Sequence, residues 1–177
     1  MTEEKINFKR IGLKAGLEIH QQLDTKHKLF CNCSTALQEK DPIQIIKRKQ
    51  HPVASELGEI DIATQYEYLR NRTFSYQLFK NETCLLEQDD EPPHELNREA
   101  LEIAFQIALL LNCKIPDEIH IMRKTLIDGS AISGFQRTAQ IGMNGLLRYK
   151  GKKIEITNVS LEEDAAAIVS EENGNVT

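Results

Sequence analysis

Apolar residues recur along this chain with two periods, and each period marks a kind of element. Between Leu13 and Leu23, Leu13, Ala15, Leu17, Ile19 and Leu23 occupy alternate positions, with Gln21 the one break. That pattern predicts a half-buried strand whose other face carries Lys14, Gly16, Glu18, His20 and Gln22. Phe74, Tyr76 and Leu78 alternate in the same way within Phe74–Phe79. A turn at Lys80-Asn81-Glu82 would let Thr83–Glu87 return beside that second strand. The stretch Asp89–His94, DDEPPH, is excluded from regular structure, because consecutive prolines remove two donors and restrict the residues before them.

The period then changes. Asn97 is a good N-cap, and Glu99 and Glu102 follow where the helix dipole favours acids. Leu101, Ala104, Phe105, Ala108 and Leu111 recur at helical spacing, predicting an amphipathic helix that ends near Asn112. Its apolar stripe reads as core. Beyond Pro116, strands are expected over Ile119–Ile127 and Phe135–Met143. Asn144-Gly145 signals a type I′ hairpin into Leu146–Tyr149, and Lys150-Gly151 a second turn into a strand over Lys153–Asp164. One main helix against a mainly antiparallel sheet is an α+β arrangement.

Composition narrows the class. The chain has 177 residues, 40% hydrophobic and 28% charged, which suits one domain of ordinary size. No apolar run reaches the roughly 18 residues of a membrane span, and no charged-then-apolar leader opens the chain. A cytoplasmic location is therefore expected, with Cys31, Cys33, Cys84 and Cys113 as reduced thiols. A net charge of −5 argues against a broad phosphate-gripping surface. The nearest thing to a basic patch is Lys47, Arg48 and Lys49, beside Gln50 and His51.

Three groups of residues carry chemistry. Glu18 and His20 stand two apart on the first strand, about 6.5–7 Å between Cα atoms, so both can reach one object above the sheet. A carboxylate and an imidazole so placed suit a divalent cation, although a solvated strand face would look the same. Glu162, Glu163 and Asp164 close the last strand, where alternation puts Val159, Leu161 and Glu163 on one side and Ser160, Glu162 and Asp164 on the other. Adjacent acids repel unless a cation or a basic partner is near; a charged strand end in water is the plainer alternative. The third group runs from Arg123 and Lys124, through a loop with Asp128, Gly129, Ser130, Ser133 and Gly134, to Gln136 and Arg137. Cations can hold phosphate oxygens there and glycines permit close approach, but the spacing is not that of a Walker A loop. The loop Asp128–Phe135 is expected to be loosely held. Cys31-Asn32-Cys33 is half of a zinc pattern whose CxxC partner is missing, so zinc is not expected, and Cys84 and Cys113 read as buried thiols.

Longer motifs carry a resemblance. GLEIHQQLDTKHKLFCNC (Gly16–Cys33) is similar to the opening of the GatB/GatE family, the glutamyl-tRNA(Gln) amidotransferase subunits that activate and amidate misacylated tRNA. HPVASELGEID (His51–Asp61), DDEPPHELNREALEIA (Asp89–Ala104), HIMRKTLIDGSAISGFQRTA (His120–Ala139) and SLEEDAA (Ser160–Ala166) follow in the family's order. The resemblance covers about Ile11 to Ala167, and the EPPHE and ISGFQRT stretches point to the archaeal E-type branch. It implies the N-terminal part of the family's cradle, or catalytic, domain over 11–169; the charged residues 1–10 read as frayed, and the polar, glycine-containing 170–177 as a truncated tail lacking a closing element. It also implies ATP-dependent conversion of Glu-tRNA(Gln) to Gln-tRNA(Gln), with ammonia supplied by an asparaginase-like, D-type partner of the amidotransferase. By the same resemblance Mg²⁺ would sit on Glu18, His20 and Glu163, with a fourth family ligand in a later strand that has no counterpart here. Arg123, Lys124, Asp128, Ser130, Gln136 and Arg137 would bind ATP and substrate, and Glu18, His20, Lys124 and Arg137 would be catalytic. A non-catalytic module that docks the asparaginase-like partner or tRNA is the alternative.

Overall fold

The computed structural model describes residues 8, 10–36, 41–52, 54, 58–60, 62–172 and 174–177. The elements are β1 (Gln44–Arg48), α1 (Ile62–Leu69), β2 (Thr73–Leu78), α2 (Arg98–Leu110), β3 (Ile121–Thr125), β4 (Phe135–Tyr149), β5 (Lys152–Glu162), β6 (Glu171–Glu172) and β7 (Asn175–Val176). They form a four-stranded sheet of order β1-β2-β7-β6 and a three-stranded sheet of order β3-β4-β5. Only β2 and β7 pair in parallel. The expected α+β class with mainly antiparallel pairing is what forms. A second helix, α1, joins the one expected; it is short, and Ile62, Tyr66 and Leu69 on it face solvent.

Phe74, Tyr76 and Leu78 are buried on β2, as their alternation requires. The return strand expected over Thr83–Glu87 does not form. β1 takes one edge of β2 along Phe74–Leu78, and β7 takes the other at Thr73 and Phe74. The turn after β2 is real, with Asn81 at φ 67°, but the chain then enters further turns, where Asp90 N donates to Leu85 O at 2.9 Å. Residues 170–177 are likewise more than a tail. Val176 is buried with Phe74, Tyr76 and Leu78, and Thr73 N donates to Gly174 O at 3.0 Å. Of residues 1–10, only Phe8 and Arg10 are described, both exposed.

Helix α2 covers one face of the second sheet. Asn97 caps it by accepting from Ala100 N, Glu99 lies in its first turn, and Asn112 at φ 54° follows its end. Ala100, Ala104 and Ala108 pack against Ala139, Ile141 and Leu161 of β4 and β5. Small helix residues allow this close approach. The strongest hairpin signal in the chain has another use here: Asn144-Gly145 lies within continuous β4, and Gly145 pairs with Ile156. A Cβ at Gly145 would lie 2.5 Å from Cys113 Sγ and 2.8 Å from Leu111 O, so glycine lets the end of α2 seat on the strand. Leu146 N donates to Leu111 O at 2.8 Å across that contact. The true hairpin is at Lys150-Gly151, with φ values of 46° and 77° and Tyr149 opposite Lys152.

Leu13–Leu23 departs from expectation. No described strand pairs with it, and Leu17 is 87% exposed. Alternation marks a face that requires cover, and no described element supplies it; Leu23 alone of these residues packs against the core around α2.

Candidate functional site

The register of the second sheet sorts the residues of interest by face. Ala139 and Leu161 pair across β4 and β5 and lie against α2. Strand alternation puts Arg137, opposite Arg123, on that same covered side. Lys124 opposite Gln136, and Thr138 opposite Glu162, therefore belong to the open side.

Over the open side lies the Glu18–Gln22 segment. His20 Nε2 is 3.3 Å from Glu18 Oε1, and His20 Nδ1 is 3.7 Å from Glu162 Oε1. Thr138 Oγ1 donates to Glu162 Oε2 at 3.3 Å, and Gln22 Nε2 donates to Asp164 Oδ2 at 2.5 Å. Glu18 and Glu162 thus meet opposite ring nitrogens of His20, so the three side chains are neighbours without converging on one point, and Glu18 and His20 are well exposed.

Glu163, the expected third ligand, is elsewhere. Its carboxylate accepts from Arg137 N at 2.8 Å and from the Arg137 guanidinium at 2.9 Å. β5 ends at Glu162, and Glu163 continues the alternation on the side of buried Leu161. Glu162 occupies the place beside His20. Arg137 is itself buried, ion-paired to Glu163, with its guanidinium 5.1 Å from the Phe135 ring centroid and 5.9 Å from that of Phe30. Arg123 stacks on Phe135 at 5.0 Å. Of the residues named for chemistry, the structure gathers Glu18 and His20 at Glu162, puts Lys124 and Gln136 on the same open sheet side, and sets Arg123, Arg137 and Glu163 on the other.

The loop after β3 is anchored rather than loose. Asp128 Oδ1 accepts from both Ser130 N, at 2.9 Å, and Ser130 Oγ, at 2.6 Å. Tyr76 OH donates to Gly129 O at 3.0 Å, Gln50 Nε2 donates to Ala131 O, and Ala166 N donates to Ser130 O at 2.9 Å. Gly129, at φ 96°, lies so close to the Phe74 ring that no Cβ would fit. Burial, reinforced by Asp128, pushes the Tyr76 phenol up to about 12, so it remains a donor.

Those contacts bring the loop to the basic triplet. Arg48, Lys49, Gln50 and His51 line one recess with Asp89, Ile132, Ser133 and Gly134. Lys49, Gln50 and His51 also line a second, together with Arg72. Gln50 Oε1 and Arg72 Nε are buried there without a protein partner. No local signal along the chain ties Arg48 and Lys49 to that loop: Gln50 meets Ala131 across 81 residues. The His51–Asp61 motif lies partly outside the described residues.

A third grouping is also hidden in the linear order. Cys84 joins Cys31 and Cys33, with the three sulfurs within 4.8 Å of one another. Burial raises both CxC thiols, Cys33 to about 11. Cys113 is separate, under the end of α2.

Compared with known proteins, residues 13–177 match the profile of the GatB/GatE catalytic domain. The chain belongs to the GatB/GatE family. Among curated relatives it is 48% identical over 173 residues to the E-type glutamyl-tRNA(Gln) amidotransferase chain of Saccharolobus solfataricus, covering 98% of this chain and 27% of that protein. It is 52% identical over 161 residues to the E-type chain of Methanobrevibacter smithii, covering 91% and 26%. The E-type chain of Aeropyrum pernix is 48% identical over 167 residues, covering 94% and 26%. This GatB/GatE catalytic domain thus spans about a quarter of the length of the relatives it matches. None of its described helices is long and apolar enough to cross a membrane.

Proposed function

We propose that this chain contributes the activating site of a cytoplasmic amidotransferase that converts Glu-tRNA(Gln) to Gln-tRNA(Gln) with ATP. A carboxylate is a poor electrophile. The γ-carboxylate of the tRNA-bound glutamate attacks the γ-phosphorus of ATP, ADP leaves, and an acyl phosphate forms. Ammonia from an asparaginase-like partner protein then attacks the acyl carbon; inorganic phosphate leaves, the nitrogen loses a proton, and the amide remains.

The observation that carries this reading is the Glu18–His20–Glu162 cluster on the uncovered side of the β3-β4-β5 sheet. A Mg²⁺ ion would neutralise phosphate charge and align the displacement, and these three side chains would hold it once turned from their contacts with opposite nitrogens of His20 towards a common point. Lys124 on the same side would hold anionic oxygens, with Gln136 opposite it in register as a neutral donor. Arg48 and Lys49, with Ser133 and Gly134 across their recess, would offer a second set of groups to phosphate oxygens. Asp128 and Ser130 fix their own turn, which leads into Ile132, Ser133 and Gly134 of the recess lining.

Full-length protein with its partner tests this by Glu-tRNA(Gln)-dependent release of ADP from ATP. Release that requires the charged tRNA supports the reading; none in a correctly folded complex overturns it. The docking reading has its own support, since Leu17, Ile19, Ile62 and Leu69 are each more than three-quarters exposed. Binding of partner or tRNA without any ADP release would favour that alternative.

A further inference from the structure

The tip of the β4–β5 hairpin carries a concentration of positive charge that the chemistry above does not use. Arg148, Lys150, Lys152 and Lys153 supply four of the chain's 22 lysines and arginines within one short stretch. A net charge of −5 argues against a broad cationic surface, but not against a concentrated one. The tip has one more cation than Lys47–Lys49, and its cations are less engaged. Arg48 Nη2 donates to Gln88 O at 2.8 Å, and Lys49 Nζ donates to Asn71 Oδ1 at 2.9 Å. No carboxylate of the described residues forms an ion pair with any of the four at the tip. All four are exposed.

Two features of this tip run against local stability. Arg148 lies directly opposite Lys153 in the β4–β5 register, where like charges repel. Lys150 occupies the turn at φ 46°. The other described non-glycine residues at positive φ are Asn71, Asn81, Asp89, Asn112 and Asn144, all of the types that best tolerate it. A lysine in that place, with Nζ 5.3 Å from the Tyr149 ring centroid, puts charge at the apex at the expense of the turn's preferred chemistry.

We propose that this hairpin tip grips the phosphodiester backbone of RNA, in the double-stranded part of the tRNA whose aminoacylated end reacts near Glu162. The proposal rests on the reading of the substrate as Glu-tRNA(Gln). From Thr138, opposite Glu162, to Tyr149 the strand runs roughly 35 Å at about 3.3 Å per residue, so the tip meets RNA far from the reacting end. Arg148 and Lys153 lie on one face of the hairpin, and Lys152 with exposed Tyr149 on the other. Cations on both faces suit the phosphates of a duplex, which is recognised by shape and backbone rather than by base edges. The alternative is a solubilising tip, whose lysines only keep the hairpin from pairing with other strands. That task requires neither cations opposite one another nor a lysine at positive φ.

Fluorescence anisotropy of labelled, uncharged tRNA(Gln) transcript with the full-length complex reads this contact without catalysis. Replacing Arg148, Lys150, Lys152 and Lys153 together by alanine should weaken binding at least about tenfold near 0.15 M salt. The slope of log affinity against log salt should become shallower by about 2–3. Lys80→Ala, an exposed cation after β2, should change affinity by less than about twofold. The quadruple variant should melt no lower than wild type, because it loses the repulsion between Arg148 and Lys153. Its rate of ADP release at saturating Glu-tRNA(Gln) should be unchanged. The amidotransferase reading fails if the wild-type complex releases no ADP; this proposal fails if wild type and quadruple variant bind the transcript with equal affinity and equal salt slope. Wild-type binding to vesicles of about one-third phosphatidylserine, lost in the variant while its affinity for tRNA stays the same, would overturn it in favour of a membrane surface.

Discussion

At the scale of single residues, Glu163 accepts from the backbone and the guanidinium of Arg137, while Glu162, one position earlier, faces His20 from the open side of the sheet. The two carboxylates should respond differently to the same kind of perturbation. Arg137→Ala strands Glu163 in a place that is only a quarter exposed, and a cost of about 3 kcal/mol is expected in urea unfolding. Glu162→Gln keeps the side-chain volume at a partly exposed position, and a change within about 0.5 kcal/mol is expected in the same measurement. Strand alternation assigns Glu163 to the side of Leu161, so the division is present in the sequence. What local pattern does not provide is the identity of the groups on each side: Arg137 lies 26 residues from Glu163. The sequence resemblance nominates Glu163 as a ligand and Arg137 as a phosphate holder; their mutual ion pair gives both a structural task.

At the scale of elements, α2 is fully legible in the sequence and the Asn144-Gly145 dipeptide is not, for one reason. A helix is specified by signals within it: an N-cap, acids in the first turn and an apolar stripe at period 3.6. Asn97→Ala removes the bond to Ala100 N, and also the bond from Asn97 Nδ2 to His27 O at 2.8 Å, so a loss of at least about 1 kcal/mol is expected on chemical denaturation. The role of Gly145, by contrast, comes from an element passing over it. Gly145→Ala forces a Cβ toward Leu111 O and Cys113 Sγ, and should cost about 1–3 kcal/mol; a turn glycine would have tolerated alanine only at the expense of its φ. The Leu13–Leu23 alternation misleads in the same sense. Period 2 states which residues require cover, but it does not supply the neighbouring strand.

At the scale of the whole molecule, the least legible feature is the parallel pairing of β2 with β7, which sets Phe74 beside Val176. Two-residue strands carry no usable periodicity, so the closing role of residues 170–177 emerges only from packing. Val176→Asp would place a carboxylate among Phe74, Tyr76 and Leu78, and a cooperative loss of the first sheet is expected by circular dichroism. The chain spans about a quarter of its curated relatives, and Glu18 and His20 are open to solvent. Calorimetry on residues 1–177 should therefore find weak binding of ATP with Mg²⁺ and no turnover. The central claim is that the open side of the β3-β4-β5 sheet, and Glu162 upon it, is where glutamate is activated. Single-turnover formation of Gln-tRNA(Gln) at saturating ATP, by full-length complexes carrying wild-type sequence or Glu162→Gln, tests it most directly. The account predicts a loss of about 100-fold or more in rate with an unchanged melting temperature; equal rates for the two complexes would contradict it.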